Sequence, residues 1–153
     1  MLDPNTNSKT QMVAQINGLL ADFFALYVKT KSFHWHVKGP RFRDLHLLFD
    51  EQAGEIQGQI DAIAERARKL GGDTITSLGM IVEHTQVKDQ DNANLSAEDM
   101  IRELRDDNAA LVDKLKGMKD IAEAAGDNAT DGLIDDWTDQ AEERVWFLSS
   151  YLG

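Results

Sequence analysis

Cysteine is absent from this sequence of 153 residues. Disulfide bonds and thiolate metal sites are therefore excluded, and histidine, aspartate and glutamate are the only strong metal ligands left. Proline occurs only twice, so long uninterrupted helices are possible. The length, with 42% hydrophobic residues, is enough for one domain with its own core, so we expect a single domain over residues 1–153.

Basic residues and long hydrophobic runs are also scarce. Lysine and arginine number 16 against 27 acidic residues, which gives a formal net charge of −11. Such a surface repels DNA and anionic lipid and attracts cations. The most apolar stretch, residues 19–28, is too short to span a bilayer, and residues 1–5 lack the basic start of a secretion signal. We therefore expect a cytoplasmic protein that does not enter membranes.

Four segments repeat apolar residues every three or four positions, which is the period of an amphipathic helix. They begin near residues 8, 41, 96 and 127. Glycine or proline ends the first three, at Gly39-Pro40, Gly71-Gly72 and Gly126. Residues 1–7 are expected to form a short flexible tail. Strand-like alternation does not extend beyond a few residues, so the pattern predicts an all-α fold.

The link between the second and third segments, residues 71–95, is long for a plain loop. Its apolar cluster predicts a short helix over residues 80–85. The other two links are short, so the helices that they join should be antiparallel, whereas the long link can cross the bundle. These features predict a ferritin-like four-helix bundle with a short extra helix in the crossover between helices two and three.

Five side chains of the first two helices have the chemistry of metal ligands. His34 lies near the end of the first helix, and the second helix carries His46 and Asp50 four residues apart. Asp61 and Glu65 repeat that spacing, which places each pair on one helix face. Imidazole with carboxylate suits iron, zinc or manganese rather than calcium or magnesium. The alternative is a solvated acidic face, but two such pairs in a consistent register are far less expected by chance.

Asp50 and Asp61 are three helical turns apart, or roughly 16 Å at 1.5 Å per residue, so one metal cluster cannot touch both pairs in one chain. A second copy of the helix, antiparallel across a two-fold axis near Glu55 and Ile56, would place each pair opposite the other pair of the partner chain. Small residues surround that axis, namely Ala53, Gly54 and Gly58. Glycine within a helix costs about 1 kcal/mol relative to alanine, which suggests that another backbone needs the space. The alternative is an exposed and slightly weak helix.

The five residues follow the spacing His-x11-His-x3-Asp-x10-Asp-x3-Glu, from His34 to Glu65. Residues 31–40 read KSFHWHVKGP, and residues 145–148 read VWFL. These features closely resemble the Dps family, the DNA-binding proteins from starved cells, over essentially the whole chain. The sequence is less similar to ferritins and bacterioferritins, because their Glu-x-x-His pairs do not occur here.

The resemblance implies a ferroxidase whose di-iron sites lie between subunits. His34, His46 and Asp50 would come from one subunit, and Asp61 and Glu65 from its two-fold mate. The firmer iron would be held by Asp61 and Glu65 with His34 of the partner subunit, and His46 with Asp50 would complete a weaker position. Fe(II) would be oxidised to Fe(III), preferentially by hydrogen peroxide, and ferric mineral would collect inside a homo-dodecamer. Zinc would fit the same ligands.

Three further side chains near these ligands or in the crossover have less specific roles. Trp35 resembles the family's aromatic beside the iron site, where it could intercept oxidising equivalents, but a plain interface aromatic is the alternative. His36 stands where the family commonly has asparagine, and it points to a different helix face from His34. We therefore expect His36 at the surface or outside the ligand sphere, and His84 in the crossover to be solvated.

An acidic stripe begins the fourth helix, with Asp127, Asp131 and Asp135 four residues apart and Asp136 beside them. The helix macrodipole favours acids in the first turn, but Asp135 lies beyond that turn. In the Dps family this region lines a three-fold pore through which Fe(II) enters, so the resemblance implies an iron pore here.

DNA binding is the alternative function, as a nucleoid-structuring protein with a secondary iron role. The sequence gives it little support, because the first ten residues carry only Lys9 and no basic extension follows the last helix. Lys114, Lys116 and Lys119 lie beside acids and suggest a mixed, solvated face. A third hypothesis is an interaction protein, since some relatives of the family act as antigens.

Overall fold

Five helices and no strand make up the part of the chain that the structure describes. The structure is a computed structural model of residues 4–153, with side chains described from residue 7 onward. The helices are α1 (Pro4–His36), α2 (Phe42–Lys69), α3 (Leu78–His84), α4 (Ala97–Ala125) and α5 (Asn128–Ser150). α1 packs on α2 and α4 packs on α5, and contacts between α1 and α4 join the two pairs into a four-helix bundle. The short α3 lies in the crossover against α1, so the predicted ferritin-like fold is confirmed.

The first helix begins earlier than its apolar period indicates. Pro4 is its first residue, a position that suits proline because the missing N–H would be unpaired there in any case. Residues 1–3 of the expected flexible tail lie outside the described residues, and residues 4–7 belong to α1.

Side-chain caps fix where the later helices start. The Ser77 hydroxyl accepts a hydrogen bond from Met80 N, so α3 begins two residues before the predicted start at residue 80. The Ser96 hydroxyl accepts from Asp99 N in the same way, as the sequence around this start predicts. Among the described residues, no helix is long and apolar enough to cross a membrane.

The centre of the bundle holds a buried guanidinium among mostly apolar side chains. The guanidinium of Arg144 on α5 donates to Asn108 Oδ1 at 2.7 Å and to Glu55 Oε1 at 2.6 Å. Only 1% of the Arg144 side chain is exposed, and this burial lowers the pKa of Arg144. Three helices are thereby joined at mid-length, and the large apolar side chains around them include Phe23, Phe33, Phe49, Ile56 and Trp137.

The crossover is fixed to α1 by a second polar cluster. The buried carboxylate of Asp22 accepts hydrogen bonds from Thr85 Oγ1 at 2.9 Å and Gln86 N at 2.7 Å. Lys114 on α4 also donates to Asp22, which compensates the buried negative charge. Lys29 on α1 donates to the carbonyl of Lys88 at 3.0 Å. The position of α3 on the outer face of α1 therefore depends on these hydrogen bonds as well as on apolar contact.

Candidate metal half-site

A tight turn brings the end of α1 beside the start of α2. Gly39 has a φ of +115°, a conformation that side chains other than glycine rarely adopt. The N–H of Phe42 donates to the Gly39 carbonyl at 3.0 Å, and α2 then runs antiparallel to α1. His34 on the last turns of α1 consequently faces His46 on the first turns of α2.

The ring of each histidine is held by the backbone carbonyl of the other. Nδ1 of His34 lies 2.6 Å from the carbonyl oxygen of His46, and Nδ1 of His46 lies 2.8 Å from the carbonyl oxygen of His34. The rings stack with centroids 3.9 Å apart and planes 16° apart. A carbonyl only accepts, so each Nδ1 donates the hydrogen bond, and Nε2 of each ring is the nitrogen left for a metal. This is how protein metal sites orient ligating histidines.

Asp50 is the third candidate ligand at this end of α2. Its Oδ1 lies 3.8 Å from His34 Nε2, which is too far for a hydrogen bond. An imidazole nitrogen and a carboxylate are donor types that suit first-row metal ions. The donor types and their proximity therefore fit a first-row metal site at this end of α2.

A lysine ammonium holds the Asp50 carboxylate. Lys31 Nζ lies 2.8 Å from Asp50 Oδ1, and this hydrogen bond lowers the pKa of Asp50 and raises the pKa of Lys31. A metal ion bound to that oxygen would have to displace the ammonium. The sequence did not indicate this ion pair, because only the folded helix pair brings Lys31 within reach of a side chain nineteen positions away.

One aromatic ring stacks on the histidine pair, and the remaining two histidines lie apart from it. Phe42 stacks on His46 with centroids 5.0 Å apart, and the Trp35 ring lies 5.8 Å from Lys31 Nζ with 64% of the residue exposed. Trp35 therefore lies at the rim of the cluster. His36 is exposed, with its Nδ1 2.7 Å from the Ser32 carbonyl, and His84 is exposed at the end of α3.

The other two predicted ligands, Asp61 and Glu65, are exposed on the second half of α2. They lie roughly 16 Å along the helix from Asp50, at 1.5 Å per residue. Within the described part of one chain, no three side chains of His, Asp or Glu are grouped closely enough to hold a metal ion. The predicted ligands of one chain therefore lie in two separated groups, each a candidate half-site.

The surface of α2 between the half-sites is open. Asp50, Gly54, Gly58, Asp61 and Glu65 are all exposed on one face. A Cβ atom added to either glycine would meet no described atom within 4 Å other than the backbone of its own helix turn. Ala53 was expected beside the two-fold axis together with the glycines, and this expectation is wrong. Ala53 is fully buried on the inner face of the helix, because neighbouring residues of a helix point in different directions around its axis.

Each carboxylate of the predicted pore stripe is paired within the chain. Asp127 accepts from Thr130 N at 3.1 Å and from Arg66 at 3.3 Å, so it also caps α5. Lys119 on α4 donates to both Asp131 and Asp135. The expected solvated face at Lys114, Lys116 and Lys119 is therefore wrong for Lys114, which donates to Asp22, and for Lys119. These partners lie too far away in sequence for local patterning to reveal them.

The chain matches a known protein family over most of its length. The family model described as Ferritin-like domain matches residues 13–153. The chain is therefore a ferritin-like protein. A DNA protection during starvation protein of Brevibacillus brevis is 37% identical over 143 residues, covering 93% of this chain and 95% of that protein.

Solved structures with the same fold include several Dps proteins. The structure of Dps from Thermosynechococcus elongatus has a TM-score of 0.95 and 29% identity, covering 99% of this chain and 96% of that one. A Dps protein of Vibrio cholerae, described as a member of a broad superfamily of ferritin-like diiron-carboxylate proteins, has a TM-score of 0.92 and 26% identity, covering 97% and 92%. The chain belongs to the Dps family.

Substitution of Gly54 by leucine tests whether a second chain uses the open face. We expect Gly54→Leu to leave the helical content unchanged, because nothing in the chain opposes a side chain there, but to reduce assembly. Sedimentation velocity measures the oligomer. Gly117→Leu is the matched control, since Gly117 also lies exposed in a helix with nothing near an added Cβ. Equal assembly of the two variants would refute a close approach at Gly54.

Proposed function

We propose that the protein is a ferroxidase that stores iron. It oxidises Fe(II) at di-iron sites shared by two chains, uses hydrogen peroxide in preference to oxygen, and keeps the ferric mineral inside a homo-dodecamer in the cytoplasm. The observation that carries this proposal is the reciprocal bonding of His34 and His46, which leaves Nε2 of each ring free for a metal and holds that of His34 3.8 Å from Asp50. Asp61 and Glu65 of a partner chain would supply the remaining ligands.

The ligand types explain why such a site would oxidise iron. Carboxylates are hard, charged ligands that stabilise Fe(III) relative to Fe(II), and a small ligand number leaves room for an oxidant. His34 would join the partner subunit's Asp61 and Glu65 at the firmer position. His46 and Asp50 would form the weaker one, in agreement with the Lys31 ammonium that already occupies Asp50.

Paired irons also account for the proposed choice of oxidant. Each Fe(II) gives one electron, so two together reduce one peroxide molecule, break its O–O bond and, with two protons, yield two water molecules. A single Fe(II) would supply only half of those electrons and would release a hydroxyl radical. Trp35 at the rim of the cluster is placed to intercept a stray oxidising equivalent.

Exposed apolar side chains support association with further copies. One group lies on α1 and α3, where Val28, Leu78 and Val82 line one surface groove. A second group lies at the end of α5, where Trp146 and Phe147 pack edge to face. Apolar surface of this kind marks contact sites in soluble proteins. Two separate groups fit a closed shell, which requires more than one kind of interface.

The start of α5 is proposed to line the pore through which Fe(II) reaches the interior. Asp127, Asp131 and Asp135 from three copies would surround a three-fold axis there. Their pairing with Arg66 and Lys119 makes the stripe less negative than its acids alone would be. A cation would still be favoured, because the acids outnumber these bases by one in each chain.

Removal of one ligand tests the shared site. We expect Asp61→Ala or Glu65→Ala to slow Fe(II) oxidation by peroxide about tenfold or more, because even partners outside the ligand sphere are worth 10–100-fold in metal sites. Stopped-flow absorbance on assembled protein measures the rate. Asp113→Ala, an exposed acid on α4 for which the structure shows no ion pair, is the control. An unchanged oxidation rate in both ligand variants would refute the assignment of Asp61 and Glu65 as iron ligands.

DNA binding is the second candidate function, because the Brevibacillus brevis relative is named for DNA protection. Many cations of this chain are committed to internal carboxylates, namely Lys29, Lys31, Arg66, Lys114, Lys119 and Arg144. Together with the net charge of −11, this leaves little basic surface for phosphate. We expect no gel shift of duplex DNA at about 150 mM salt, where electrostatic binding is already weakened. A complete shift at that salt would favour the DNA function.

A further inference from the structure

We propose that the Lys119 ammonium neutralises part of the acidic stripe of α5 and thereby limits how fast divalent ions pass through the proposed pore. The proposal rests on the pore in the proposed function and adds a regulating residue to it. Lys119 extends from α4 to α5 and carries the same type of charge that the pore would admit. An arriving ion would therefore compete with a group that belongs to the protein.

Lys119 contacts the two aspartates of the stripe that lie farther from the start of α5. Its Nζ lies 2.7 Å from Asp131 Oδ1 and 2.6 Å from Asp135 Oδ1. The two aspartates are one helical turn apart, so their carboxylate oxygens lie close together, and both accept a hydrogen bond from the same ammonium. These two hydrogen bonds raise the pKa of Lys119, so the group stays charged at any physiological pH.

The charge balance shows how strongly Lys119 affects the stripe. Three carboxylates less two cations, Lys119 and Arg66, leave one net negative charge per chain. Loss of the Lys119 charge would leave two, which doubles the net charge around a three-fold axis. Fields of this kind change the local concentration and the on-rate of an ion by tenfold or more. Lys119 is therefore placed to set the attraction of the pore for cations.

The lysine three residues earlier shows that this contact is specific. Lys116 lies on the same helix and is exposed, and the described residues include no ion-pair partner for it. Only about a third of the Lys119 side chain is exposed, with its ammonium directed at α5. Substitutions at the two positions change the net charge of the chain equally, so their comparison separates the pore contact from the overall charge.

The experiment compares Lys119→Met with Lys116→Met in assembled protein. Lys119→Arg serves as the variant that keeps the charge. The first measurement is the stopped-flow rate of Fe(II) oxidation by peroxide at subsaturating iron. The second is the binding of Mn²⁺ followed by the loss of its free EPR signal, which requires no oxidation. Sedimentation velocity confirms that each variant assembles.

We expect Lys119→Met to raise the subsaturating rate about three- to tenfold and to strengthen Mn²⁺ binding by a similar factor, with Lys116→Met close to wild type. Lys119→Arg should also resemble wild type. Equal behaviour of the two methionine variants, or slower uptake in Lys119→Met, would overturn the role of Lys119. A wild-type protein that binds Mn²⁺ but oxidises no Fe(II) would refute the proposed function instead, and the Mn²⁺ comparison would still decide on Lys119.

Discussion

Two hydrogen bonds between His34 and His46 connect the end of α1 to the start of α2. Each bond joins a ring nitrogen of one residue to the backbone carbonyl of the other, so neither ring can rotate without loss of a bond. The His34 carbonyl lies in the last turn of α1, where carbonyls lack partners within the helix, and the His46 ring supplies one. The same contacts set the tautomer of both rings and hence the nitrogen that is free for a metal.

The remainder of the candidate site follows from this arrangement. Because His34 and His46 are fixed beside Asp50, one end of α2 presents a candidate half-site. The other candidate half-site, Asp61 with Glu65, does not meet it within the described part of the same chain. The exposed face between them has no side chain at Gly54 and Gly58 that would keep a second helix away. Arg144 holds α2 from inside the bundle through its hydrogen bond to Glu55.

Local patterns in the sequence predicted the helices and the ligand faces, because helical period and capping depend on near neighbours. Residues four apart had to share a face, so the pairing of His46 with Asp50 could be read from spacing alone. Contacts between helices could not be, and Lys31 with Asp50, Lys119 with Asp131 and Arg144 with Glu55 became visible only in the fold. Ala53 shows the limit within one helix, because a shift of one residue turned an expected surface position into a core position.

The central claim is that each oxidation site is built from two chains, and a complementation measurement tests it most directly. One chain would carry His34→Ala with His46→Ala, and the other Asp61→Ala with Glu65→Ala. Each alone lacks half of every site, whereas a mixed two-fold pair has one intact site and one site without these ligands. Random co-assembly should therefore restore about a quarter of the wild-type rate of Fe(II) oxidation by peroxide. Mixed oligomers of verified mass with no more activity than either parent would contradict a shared site.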